Sequence, residues 1–383
     1  MTFERRLLTR ERGAGIFEKL WQIPWLFVLL LCAVAAVGYV ALYSAGGGGP
    51  EPYAAKHAIR FGFGLVLMLS IALIDIRVIA RFAWVGYAGG IALLVLVAMH
   101  GNVGKGAQRW IDLGPLQLQP SELMKIVLVL ALASWFHKAS WERIGNPLFL
   151  IPAIIAVMIP AGLIFKQPNL GTALITVMIG GAVFFAAGVR FWKFALVVGG
   201  VAVAAPIAYD QLHDYQRARI TTFLDPESDP LGAGYNIIQS KIALGSGGFW
   251  GKGFLQGTQG HLNFLPEKQT DFIYTMIAEE FGLVGALAVL ALLAGVIAFG
   301  FLVALRSRHQ FGRLLAVGLS TNFFLYVFVN IAMVTGSIPV GGVPLPLISH
   351  GGSAMLTTMF GFGLLLSAYV HRHAEMAEPS EGA

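Results

Sequence analysis

The chain is poor in cysteine and poor in charge. Cys32 is the single cysteine among 383 residues, which excludes an internal disulfide and a multi-cysteine metal site. It lies in the first apolar run and reads as packing. Only 12% of residues are charged, against about 25% in a soluble domain, so an ordinary soluble globular fold is excluded. The formal net charge is +6, but Lys and Arg form no continuous basic stripe, so nucleic acid is not an expected partner. No matched pair of internal repeats and no low-complexity tract stands out.

What the chain has instead is 57% hydrophobic residues gathered in runs of roughly 20. Ten spans account for them: 23–43, 58–75, 80–98, 120–137, 147–165, 170–188, 191–209, 271–305, 311–335 and 351–370. Hydrocarbon offers a backbone no partner, so each span is expected to be a helix. The runs are continuously apolar rather than alternating, which excludes a transmembrane β-barrel. The expected fold class is therefore all-α, a polytopic membrane protein with about ten transmembrane helices. Its parts are a head 1–22, a membrane domain 23–370 with a large extracytoplasmic loop 210–270, and a tail 371–383.

Basic residues set the orientation. With the N-terminus inside, 15 of the 26 Lys and Arg fall on the cytoplasmic side, and both termini are predicted cytoplasmic. Arg5, Arg6, Arg10, Arg12 and Lys19 before Ile23–Leu42 resemble the start of a targeting signal. The apolar run is too long for a cleaved signal and more spans follow, so an uncleaved first helix is expected.

Loop 210–270 is too long to be an idle connector. Within it, 235–243 fits a short amphipathic helix whose apolar side would rest on the membrane surface. Residues 245–253 supply flexible glycine backbone and Lys252, with a spacing that is wrong for a P-loop. The loop ends on His261–Tyr274, where Glu267, Lys268 and Asp271 meet the chain's entry into an apolar medium. On these residues alone Asp271 is either a catalytic carboxylate or a group stabilising its own helix start.

Other polar positions could converge on that junction. Glu122 and Lys125 are three apart on one helix face, at a depth where unpaired charge is expensive. They are a structural ion pair or a support for the site. Lys105, Arg109, Lys241 and Lys268 could hold an anion, or could simply meet solvent and headgroups. Glu279 and Glu280, about two turns beyond Asp271, could line a polar cavity, with structural hydrogen bonding as the alternative. Ser349 and His350 are similar candidates in the Pro- and Gly-rich stretch 339–353, which is expected to form a re-entrant wall near Asp271.

Four blocks carry a family resemblance: Gln119-Pro120-Ser121-Glu122-Leu123-Met124-Lys125, Tyr235–Gly253, Phe264-Leu265-Pro266-Glu267 through Asp271-Phe272-Ile273, and Gly342-Val343-Pro344-Leu345-Pro346-Leu347-Ile348-Ser349-His350-Gly351-Gly352. In this order they resemble the SEDS family of bacterial cell-wall polymerases (shape, elongation, division and sporulation proteins). The short head and tail and Leu345-Pro346-Leu347 look more like its elongation branch than its division branch. Three positions depart from the family pattern: Asn169 for aspartate, Asn236 for histidine and His350 for tyrosine.

The resemblance implies a peptidoglycan glycosyltransferase in the bacterial cytoplasmic membrane, with its active site on the extracytoplasmic face. It would polymerise lipid II into β-1,4-linked glycan by inverting transfer, releasing undecaprenyl pyrophosphate. Asp271 would be the catalytic carboxylate, the ligand of a divalent cation (Mg2+ or Mn2+), or both. An ordinary aspartate, with a pKa of about 3.9, is a feeble base in water; burial would raise it and a cation would lower it. Implied partners are a class B penicillin-binding protein and other elongation-complex proteins. A lipid-precursor flippase or a division-type polymerase is the competing expectation.

Overall fold

The computed structural model of the chain describes residues 15–376 except 101, 105–106, 114–115, 138, 211–216, 218–220, 222, 224, 226–233, 263, 266, 340–341 and 375. The spans are α2 (Trp25–Ala45), α3 (Ala54–Ala72), α4 (Ile76–His100), α5 (Pro120–His137), α7 (Pro147–Lys166), α8 (Leu170–Ala187), α12 (Ile273–Arg306), α13 (Gln310–Val334) and α14 (Gly352–Val370). These nine are the described helices long and apolar enough to cross a membrane. The seventh expected span is also a helix, α9 (Phe191–Asp210), but its apolar part, Phe191–Ala204, is shorter. Shorter helices are α1 (Ile16–Gln22), α6 (Trp141–Gly145), α10 (Tyr235–Ser246) and α11 (Thr258–His261).

Local chemistry sets the helix ends. Asn146 Oδ1 accepts from Leu148 N at 2.9 Å ahead of α7, and His309 Nδ1 accepts from Gly312 N at 2.9 Å ahead of α13. Asn169 Oδ1 accepts from Thr172 N at 3.4 Å at the start of α8, a capping task that the family's aspartate could share.

Two of the spans that carry buried polar groups are interior ones. α5 and α14 are among the least apolar of the nine and the most deeply enclosed, whereas α4 and α12 turn much more of their surface outward. This is the ordering expected where polar side chains avoid lipid and face the bundle. Leu26, Ile59, Val66, Phe185 and Phe191 lie on the exposed apolar girdle.

Contacts gather the connecting segments at two ends of the bundle, labelled here by the orientation expected from the basic residues. At the cytoplasmic end Lys19 Nζ donates to Leu73 O at 3.2 Å, Lys193 Nζ to Gly145 O at 3.0 Å, and Arg308 N to Arg372 O at 3.2 Å. The two described chain ends therefore lie on one face. At the opposite end Gln119 N donates to Ser353 Oγ at 2.9 Å, and the Ser44 hydroxyl donates to Glu280.

Two features differ from the sequence expectation. The connector before α5 contains a small antiparallel sheet of β1 (Asn102–Gly104), β2 (Ala107–Leu113) and β3 (Leu116–Leu118), in the order β1-β2-β3. Ile111 pairs with Leu118, and a register shift sits between Asn102 and Val103. And α10 does not rest on the membrane surface. It packs on α12 and α13, with Ile237, Ser240 and Ala243 buried. Ser240 Oγ donates to Val334 O at 2.7 Å and lies 3.0 Å from Thr275 Oγ1, which gives that face better partners than lipid.

Candidate active site

Asp271 sits in the turn just before α12, partly exposed. The turn is built on Glu267, whose φ is 56° and whose carbonyl accepts from Thr270 N, Asp271 N and Phe272 N at 3.0, 3.2 and 3.4 Å. The carbonyls of 269, 270 and 271 are each held from outside the turn. His350 N donates to Gln269 O at 2.8 Å, Ser349 Oγ to Thr270 O at 2.5 Å, and Asn330 Nδ2 to Asp271 O at 2.9 Å. A run of three consecutive carbonyls satisfied by tertiary donors fixes the backbone that carries the carboxylate. The N-cap of α12 is Phe272, with no side-chain capping bond. Asp271 stands one residue ahead of that cap.

The Pro- and Gly-rich stretch forms the wall across from that turn, as expected. A Cβ added to Gly342 would lie 3.6 Å from Asp271 Oδ2, so this glycine backbone borders the carboxylate directly. Deeper in the wall Leu345, Pro346, Leu347 and Ile348 are buried, and Gly38 of α2 leaves the room that Leu347 and Ile348 occupy. Ser349 and His350, expected to line a cavity, instead serve as struts of this wall. His350 also faces the Tyr53 ring, and Arg60 Nη1 lies 3.4 Å from its Nε2. Burial, with Arg60 and Lys56 nearby, pushes the His350 pKa down to about 4.

Glu122 and Lys125 form the expected pair, with Nζ to Oε1 2.8 Å and Lys125 fully enclosed. Sequence reasoning missed their third member, Tyr326 of α13. Its hydroxyl donates to the same Glu122 oxygen at 2.5 Å, and Lys125 Nζ lies 4.0 Å above its ring. Glu122, Asn322, Tyr326, Pro346 and Thr357 border a cavity with room for water in the bundle interior. Through Pro346 this polar centre reaches the wall that faces Asp271.

The predicted cations separate. Lys105 lies outside the described residues. Arg109 is in β2, and its side chain lies outside them too. Lys241 is exposed on α10 with its amine against Gly336. Lys268 donates to Gly260 O at 2.8 Å, and burial lowers its pKa. Lys268, three residues before Asp271, thus ties one amine hydrogen to the loop backbone.

Of the two expected roles of Glu279 and Glu280, structural hydrogen bonding is the one their described contacts support. Glu279 Oε1 accepts from Lys252 Nζ at 2.7 Å, Thr258 N at 2.8 Å and Gln259 N at 3.0 Å, while Glu280 accepts from Ser44. They precede an interruption of α12 at Gly282, with φ 67° and ψ −163°. There Lys252 N and Gly253 N donate to the Glu279 and Glu280 carbonyls, both at 3.0 Å. Leu283 N donates to Gly248 O at 3.0 Å. The glycines at 247–253 are thus a plug that satisfies a broken helix.

Among the described residues no three His, Cys, Asp or Glu side chains gather as a metal-binding group. The half-exposed Asp271 carboxylate fits the way Mg2+ is usually held, by one or two carboxylates with ligand phosphates and water, rather than a closed protein cage.

Residues 20–374 match the profile of the FTSW_RODA_SPOVE family of cell cycle proteins. The chain is 45% identical over 350 residues to the peptidoglycan glycosyltransferase MrdB of Escherichia coli K12, covering 90% of this chain and 93% of that one. It is 37% identical over 365 residues to the probable peptidoglycan glycosyltransferase FtsW of Trichlorobacter lovleyi, covering 91% and 93%. Among solved structures it is similar to a chain of a peptidoglycan synthase complex that coordinates polymerization and crosslinking, with a TM-score of 0.81, 33% identity and coverage of 92% and 99%. It is also similar to the rod shape determining protein RodA of Thermus thermophilus, with a TM-score of 0.69, 28% identity and coverage of 92% and 98%.

Proposed function

The chain belongs to the FtsW/RodA/SpoVE (SEDS) family, and from that premise we propose that it is a peptidoglycan glycosyltransferase that polymerises lipid II at the outer face of the bacterial cytoplasmic membrane. The observation that carries the reading is the carbonyl clamp on 269–271, which presents Asp271 at the outer mouth of the bundle against the Gly342 backbone.

The reaction joins two lipid-borne sugars. The 4-hydroxyl of the GlcNAc on an acceptor lipid II attacks the anomeric carbon of the growing glycan. The new C–O bond forms with inversion as the bond to undecaprenyl pyrophosphate breaks, and the hydroxyl proton is lost to a base. Asp271 is that base in this proposal, held within reach of the acceptor by its clamped backbone. Asp271 would also be the residue to hold a divalent cation, Mg2+ or Mn2+, which would supply charge neutralisation for the pyrophosphate leaving group. Glu122 and Lys125 support the wall from within, through Tyr326 and Pro346. Lys105, Arg109 and Lys241 remain the proposed pyrophosphate contacts.

The role in elongation rather than division rests on the resemblance to MrdB and RodA. The partner is a crosslinking enzyme, and more narrowly a class B penicillin-binding protein set against α12 and α13, with other elongation-complex proteins around it. The likeness to a synthase complex supports this.

The testing experiment is turnover of lipid II by the purified protein in liposomes, native and Asp271→Asn, with and without divalent cation. Polymer from the native protein and none from a folded Asp271→Asn is expected. Translocation of lipid II without new glycosidic bonds would point to a flippase. Normal polymer from Asp271→Asn would remove Asp271 from the chemistry.

A further inference from the structure

Asn330 has no solvent exposure, and its part in the clamp on 269–271 is only half of what its amide does. Its Nδ2 donates to two carbonyls from separate segments, Asp271 O at 2.9 Å and Val343 O at 2.7 Å. Both amide hydrogens are spent, and among the described residues the buried Oδ1 has no hydrogen-bond partner. An orphaned buried acceptor costs about 1–3 kcal/mol, so the acceptor end is not what favours asparagine here. The donor fork is.

The two ends of that fork define a distance. One fixes the residue whose carboxylate is the proposed base. The other fixes Val343, the neighbour of Gly342, whose backbone borders Asp271 Oδ2. Asn330 therefore sets the gap between the carboxylate and its facing wall. Its own place is fixed from below, because Tyr326, one turn earlier on α13, is anchored to Glu122. Ser349 ties the adjacent Thr270 carbonyl but does not hold Asp271 itself.

We propose that Asn330 is a positioning residue for the glycosyl transfer, holding Asp271 and the Val343 wall at the separation the acceptor hydroxyl requires. This rests on the reading of Asp271 as the base. A loop tie with no catalytic consequence would stabilise the same contacts, so the readout must separate turnover from folding and from substrate affinity.

Asn330→Asp keeps the shape and removes the donors, and Asn330→Ser keeps one donor in less volume. The purified variants are compared with native protein and Asp271→Asn for kcat, for KM toward lipid II and for thermal unfolding. Asn330→Asp is expected to lower kcat on the order of 10- to 100-fold with KM unchanged, the scale of a small misplacement of a reacting group. Asn330→Ser should recover part of that loss. Ser349→Ala should lower thermal stability with a smaller change in kcat. Should Asn330→Asp fail to fold, Asn330→Ser carries the same test, as a kcat loss at native KM. A folded Asn330 variant with native kcat, or one that loses only KM, overturns the proposal. An inactive Asp271→Asn beside a fully active, folded Asn330→Asp would sink the positioning role alone, whereas an active Asp271→Asn would sink the base assignment beneath it.

Discussion

The Tyr326 hydroxyl and the Glu122 carboxylate meet at 2.5 Å inside the bundle, 204 positions apart in sequence, with Lys125 closing the group. Removing one member of such a buried set leaves a charge without compensation, at a cost of about 3–5 kcal/mol. Lys125→Ala is therefore expected to lower the thermal unfolding midpoint sharply and to abolish polymer formation. The pair Glu122→Gln with Lys125→Met should recover much of the midpoint and little of the turnover. Differential scanning fluorimetry in detergent beside a lipid II assay checks both.

Glu279 collects a lysine amine, three backbone amides and the Thr258 hydroxyl on one fully buried carboxylate. Hydrogen bonds to a charged group are each worth about 1.5–3 kcal/mol, and here their donors belong to the extracytoplasmic loop. Glu279→Ala should destabilise the protein by about 3 kcal/mol or more and release the loop. Hydrogen exchange should show lost protection across 252–262, with α5 and α14 unchanged.

At Gly282 the backbone occupies a region open to glycine alone, and an added Cβ would lie 2.3 Å from Gly251 N. Gly282→Ala is expected to prevent accumulation of folded protein. Gly62 and Gly181 have nothing within 4 Å of an added Cβ and lie in helices. Alanine there should be neutral or stabilising by up to about 1 kcal/mol. Yields of monodisperse protein from the three variants give the comparison.

The spans were legible because hydrocarbon leaves one solution to the backbone, and each expected boundary lies within four residues of a helix end. The Glu122–Lys125 pair was legible from helical spacing and depth. Tyr326 and Asn330 were not, since a tyrosine and an asparagine in an apolar helix carry no spacing signal until the fold brings α5 and the 269–271 turn against α13. Glu279 and Glu280 were legible only as a choice between two roles. Carboxylates in a span signal a polar environment, but sequence does not say whether that environment is a cavity or a glycine loop supplying amides and a lysine. The sheet before α5 was hidden by its glycines, which read equally well as a loose connector.

His350 offers a prediction whose sign follows from its surroundings. Its pKa is pushed down to about 4, first by burial and then by Arg60 and Lys56, from an ordinary 6.5. The groups packed around it, Tyr53, His57 and Arg60 on α3 and its approach and the Gln269 carbonyl on the clamped turn, include no carboxylate among its described contacts. The folded protein therefore favours neutral imidazole, while the unfolded chain binds a proton below pH 6.5. Stability from this residue is fully present above pH 6.5 and is lost as pH falls toward 4. Because His350 N holds Gln269 O, the loss is expected to loosen the turn that carries Asp271 before the bundle itself unfolds. His350→Phe keeps the ring packing and the backbone donor while removing the titration. Thermal unfolding midpoints from pH 7 to 4 should fall more steeply for the native protein than for His350→Phe, and parallel curves would remove His350 from the acid response.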